Sequence, residues 1–127
     1  MMYGYKKQVK LPYEAAVHKT RDELQKEGFG VLTEIDVKAT LKKKLDVDFD
    51  KYIILGACNP PFAYQALQAE RDIGLLMPCN VIVYEQDGKT FVSATLPSVT
   101  MSAVKNAKLE PVAGQVEAKL KKVVDSI

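Results

Sequence analysis

The feature that most limits what this chain can become is an uncharged run, Tyr52-Ile53-Ile54-Leu55-Gly56-Ala57-Cys58, stopped at once by Asn59-Pro60. A run this short and this apolar predicts a central strand covered on both faces. The stop is a helix start. Asparagine serves as an N-cap, and proline suits the first helical position because its missing N–H is not needed there. The run is also the longest apolar stretch, far below the roughly 20 residues of a membrane span. No membrane association is therefore expected.

The flanking segments supply the rest of a layered α/β domain. Tyr3, Tyr5, Val9 and Leu11 alternate with polar residues and predict a half-buried first strand, with Lys7 anomalous on its apolar side. Pro12 opens a helix with Tyr13, Val17, Thr20 and Leu24 on one face, and Gly28 closes it. Phe29, Val31, Thr33 and Ile35 alternate as a second strand. Asp36 caps a short helix with a predicted stripe of Val37, Leu41 and Leu45 and with Lys42, Lys43 and Lys44 near its C-terminus.

The helix opened by Pro60 is expected to run to about Asp72, with Gly74 ending it. Cys79–Glu85 and Thr90–Leu96 read as strands joined by an Asp87-Gly88 turn, a pair that tolerates positive φ and makes a hairpin. Pro97 and Pro111 start the last two helices. The second carries Val112, Val116, Leu120, Val123 and Ile127 as a long stripe. Periodicity leaves open whether the third and fourth strands run parallel or antiparallel.

At 127 residues, with no linker or change of composition, residues 1–127 read as one domain. Eighteen basic residues against 16 acidic ones leave a net charge of +2, which gives no general electrostatic case for nucleic acid. The lysine clusters Lys42–Lys44 and Lys119/Lys121/Lys122 lack the interleaved aromatics of a base-stacking surface. No nucleic-acid partner is expected. Two cysteines are too few for a secreted disulfide framework. With no signal-peptide pattern at the start, the expected location is cytoplasmic.

The block Ile53–Pro60, followed by Ala63, Glu70, Gly74-Leu75-Leu76-Met77-Pro78-Cys79-Asn80-Val81 and Val83-Tyr84-Glu85, resembles the domain-of-unknown-function 302 family. The two Cys-Asn blocks are its specific part. The resemblance implies a two-layer α+β fold similar to half of the TATA-box-binding protein. It implies a five-stranded antiparallel sheet with helices packed on one face plus inserted helices, in the order β-α-β-α-β-α-β-β-α-α. It implies a homodimer and no established activity. An antiparallel sheet places the end of the third strand beside the start of the fourth, so Cys58-Asn59 and Cys79-Asn80 are expected at one end of the sheet.

That end is the candidate site. Cys58 precedes a helix N-terminus, where free N–H groups and the helix dipole favour a thiolate, with Cys79 as its resolving partner. The competing reading treats both as small buried hydrophobes. Asn59 is expected to cap its own helix and, with Asn80, to offer amides to a small anion. Glu34 and Glu70 are the carboxylates considered for the same site; acid–base work needs a positioned partner and a shifted pKa.

No cofactor and no metal are expected. Cys58, Cys79 and His18 lack the paired spacing of a zinc site. Asp46, Asp48 and Asp50 begin like a calcium loop, but Lys51 stands at its sixth position and Ala57 at its twelfth. Two functions stand: a small-ligand or thiol-based site at the Cys58-Asn59/Cys79-Asn80 end, or a non-catalytic dimeric interaction module. No Ser-His-Asp signature, phosphate-binding loop or dinucleotide fingerprint is present.

Overall fold

A computed structural model describes residues 2–127. Its elements are β1 (Gly4–Val9), α1 (Tyr13–Lys26), β2 (Gly30–Asp36), α2 (Val37–Leu45), β3 (Tyr52–Cys58) and α3 (Pro60–Ala69). They continue with β4 (Cys79–Gln86), β5 (Lys89–Thr95), α4 (Pro97–Thr100) and α5 (Glu110–Asp125). The strands form one sheet in the order β1-β5-β4-β3-β2, with every neighbouring pair antiparallel. The fold is the two-layer α+β arrangement expected, and β3 and β4 run in opposite directions. Among the described residues, no helix is long and apolar enough to cross a membrane.

Register assigns each side chain to a face, because successive strand residues point to opposite sides. Ile53 pairs with Val83, Leu55 with Val81 and Ala57 with Cys79, and Val81 and Val83 pair onward with Ala94 and Val92. These residues form the inner face, buried under α1 and α5 with Leu24, Val116, Leu120, Val123 and Val124. Removing this apolar area from water, at about 25 cal/mol per Å², is what holds the layers together.

Lys7 has a cause for its place on that face. It lies on the edge strand β1, and its Nζ donates to the carbonyls of Asp125 and Ile127, both at 3.2 Å. A cation there satisfies acceptors left free at the C-terminus of α5. Beside it, Tyr5 Oη donates to Asp125 Oδ1 at 2.7 Å.

Several local expectations are corrected. The β3 run is not fully buried on both faces: Tyr52 and Ile54 are half-buried on the outer side, where Tyr52 meets Phe49 and Tyr84. Tyr52, Tyr84 and Phe91 stack there across three strands, with ring centroids 5.3 Å apart at each step. Lys6 Nζ lies 4.5 Å from the Phe91 ring centre.

The alternation read through β2 breaks at an irregularity between Val31 and Thr33. Val31 pairs with inner Ala57, whereas Ile35 pairs with outer Ile54. The α2 stripe holds only in part: Val37 and Leu41 are half-buried but Leu45 is exposed, and Asp36 Oδ1 accepts from the Ala39 N–H as an N-cap should. The Pro60 helix ends at Ala69. Gly74 falls inside the 3₁₀ segment Arg71–Leu76 that follows rather than ending an α-helix. The Asp87-Gly88 turn is as expected, with φ of 52° and 74°.

Candidate functional site

A cavity of about 270 Å³ opens where the inner face runs out at the ends of β3 and β4. It lies on a seam. On one side is the main core; on the other is a smaller cluster of Ala66, Ile73 and Leu109, with Met77 and Met101 packed against it. Phe29, Phe62 and Val116 border the cavity from the core side, and small residues (Ala63 and Ala66 on α3, Ala113 on α5) leave the space open. Among the described residues, no ionisable side chain other than the two cysteines lines it.

Asn59 borders this cavity but does not cap α3, contrary to expectation. Its Nδ2 donates instead to the Glu27 carbonyl, 3.1 Å away at the C-terminus of α1. The amide thus joins the end of β3 to the turn between α1 and β2. Gly28, at φ +86°, makes the approach close: a Cβ there would lie 3.2 Å from Asn59 Nδ2. Asn59 is buried with its amide in use, so the structure offers no free amide here for an anion.

Cys58 and Cys79 both border the cavity, and both are free thiols. Cys79 is paired in register with Ala57, the chain neighbour of Cys58. Paired and consecutive Cα spacings together keep the two cysteine α-carbons within about 9.3 Å. Strand alternation, however, assigns Cys58 to the face opposite Ala57 and Cys79, which opposes a direct bridge. Burial, and secondarily the neighbouring Cys58, push the Cys79 thiol up to about 11. That is the reverse of the lowered pKa an activated thiol needs.

The sequence model for Domain of unknown function DUF302 matches residues 5–127. The chain belongs to this family. The crystal structure of an uncharacterized conserved DUF302 protein from Bacillus stearothermophilus is similar throughout. It has a TM-score of 0.92 and 28% identity, with 98% of each chain covered. Among curated proteins, none matches the chain.

The remaining candidates of this DUF302 chain do not converge on the cavity. Asn80 follows Cys79 and so points to the outer face, where it borders a separate groove with Tyr52, Ile82 and Tyr84. Glu34 on β2 is ion-paired with Arg21 at the surface. Glu70 accepts from Asn106 Nδ2 at 3.0 Å, and the same amide donates to the Ala69 carbonyl at 2.9 Å. His18 is exposed, 3.3 Å from Asp22. Lys42 pairs with Asp46 and Asp48, so those aspartates belong to a solvated ion-pair network. Among the described residues, no three His, Cys, Asp or Glu side chains group as a metal site.

Leu32, Phe62, Ala66, Met101 and Ala113 are the cavity residues sequence reading did not single out. The available signal was a pair of alanines, Ala63 and Ala66, facing into a seam where a bulky stripe would otherwise continue.

Proposed function

We propose that this DUF302 protein is a binding protein rather than a thiol enzyme, holding a small guest that brings no net charge into the cavity beside Cys79. The observation that carries this reading is the cavity itself: about 270 Å³, lined among the described residues by no carboxylate, amine, guanidinium or imidazole. Dry apolar cavities of about 150 Å³ already accept benzene or xenon. A charged guest would lose its hydration here without a partner, at a cost of several kcal/mol. The high pKa of Cys79 argues in the same direction, since a protonated thiol is a weak nucleophile.

The test is thermal unfolding with and without toluene. A guest that binds only the folded chain raises Tm with concentration. Ala113→Phe, which fills the space, removes that rise while the variant remains folded. A Tm indifferent to toluene overturns the reading.

The outer sheet face supports a dimer. Tyr52, Ile82, Tyr84 and Phe91 form a half-buried apolar ladder along a groove that Phe49 borders at one end. An open apolar face of this kind marks an interaction surface. A second copy is the occupant of choice, because Lys6 and Asp50 border the same groove with opposite charge. A two-fold axis can set each against its counterpart.

A further inference from the structure

Leaving aside Met1 and Met2, every sulfur atom of the chain borders the one cavity: Met77, Met101, Cys58 and Cys79. Three of them share a second lining as well. Met77, Cys79 and Met101 also line a neighbouring cavity of about 250 Å³, so they stand in the wall between the two spaces. Cys58 does not line that second space.

Resting on the reading of this cavity as a binding site, we propose that Met77, Cys79 and Met101 form a three-sulfur site for a soft monovalent cation, copper(I). Thiolate and thioether donors select copper(I) among the common metals. Charge selects it as well. One Cu⁺, one thiolate and two neutral thioethers sum to zero, so the loaded site adds no net charge to an apolar cavity. A divalent ion on the same three sulfurs would leave one positive charge unpaired there. Zinc also prefers four nitrogen or sulfur ligands, and His18, the one histidine, is exposed on the solvent side of α1.

Loading is a ligand exchange without electron transfer. The Cys79 S–H gives its proton to water as the S–Cu bond forms, and the donor complex releases its own ligand. Binding therefore releases one proton per ion.

The test is an anaerobic titration of the whole chain with copper(I) supplied by the chromophoric chelator bicinchoninate. The site takes one equivalent per chain. Cys79→Ser abolishes uptake. Met77→Leu and Met101→Leu, which keep side-chain volume, each weaken it about tenfold or more. Cys58→Ser leaves it unchanged. In the wild-type protein, silver(I) shifts the methyl resonances of Met77 and Met101, a readout that needs no variant. No uptake, uptake lost only in Cys58→Ser, or static methyl resonances overturns the assignment. Toluene binding separates the two readings. If toluene raises Tm and copper(I) is refused, the metal site falls and the cavity reading stands; if copper(I) binds and toluene does not, the reverse holds.

Discussion

Asn59 Nδ2 donates to the backbone carbonyl of Glu27, 3.1 Å away and 32 residues earlier in the chain. The bond fastens the end of β3 to the end of α1 and fixes one wall of the cavity. Asn106 does the same for α3, donating to the Ala69 carbonyl at 2.9 Å. In both places an amide from a distant segment satisfies a carbonyl at or just beyond a helix C-terminus, where intrahelical partners run out. Asn59→Ala leaves the Glu27 carbonyl without its partner and lowers stability by about 1–3 kcal/mol. Urea unfolding checks this, and a midpoint equal to wild type would show that the bond contributes nothing.

Gly56 is required by close approach rather than by its φ angle. A Cβ there would meet Thr33 Oγ1 and lie 2.7 Å from Pro78 Cγ. Gly56→Ala forces the β2–β3 contact apart and costs about 1–3 kcal/mol. Adding Thr33→Ala recovers part of the loss, because the two positions share the contact. Chemical denaturation of the single and double variants measures the coupling.

Cys79 sets an alkaline limit. Its thiol ionises at about 11 in the folded chain against an ordinary value of 9.0, chiefly because burial disfavours the thiolate. The folded state therefore holds its proton more tightly than the unfolded state. Stability from this group is complete below pH 9 and is lost as pH rises towards 11. The two-unit displacement corresponds to an upper figure of about 2–3 kcal/mol. Stability-versus-pH curves for wild type and Cys79→Ala should converge over that window. At neutral pH, iodoacetamide should modify Cys79 more slowly than an unfolded peptide cysteine.

Ile82 sits on the outer face two residues along β4 from Tyr84, pairs with Ile54, and lines the outer groove. Ile82→Lys places a charge at the centre of the expected dimer contact and should yield a folded monomer. Sedimentation velocity at micromolar concentration reads this directly. A wild-type protein that is already monomeric would refute the dimer.

Much of the fold was legible because local chemistry decided it. Asp87-Gly88 fixed the hairpin, and the proline starts and the β3 run fixed the element order. Pairing direction followed from the family resemblance and not from periodicity. The site was half legible. Cys58 and Cys79 do meet at one end, but a side-chain period of two sends Asn80 to the opposite face from Cys79, which a list of neighbouring residues conceals. Asn59 looked like an N-cap from sequence alone, since nothing local reveals the Glu27 carbonyl 32 positions away. The cavity is a seam between clusters contributed by α3, α4 and α5. No single segment carries its outline.

Two-dimensional NMR of the uniformly ¹⁵N-labelled chain during a toluene titration tests the central claim most directly. Saturable shifts should concentrate at Phe29, Ala57, Phe62, Cys79, Met101 and Ala113, and should vanish in Ala113→Phe. Shifts confined to the outer face around Tyr84, or none at all, would contradict the account.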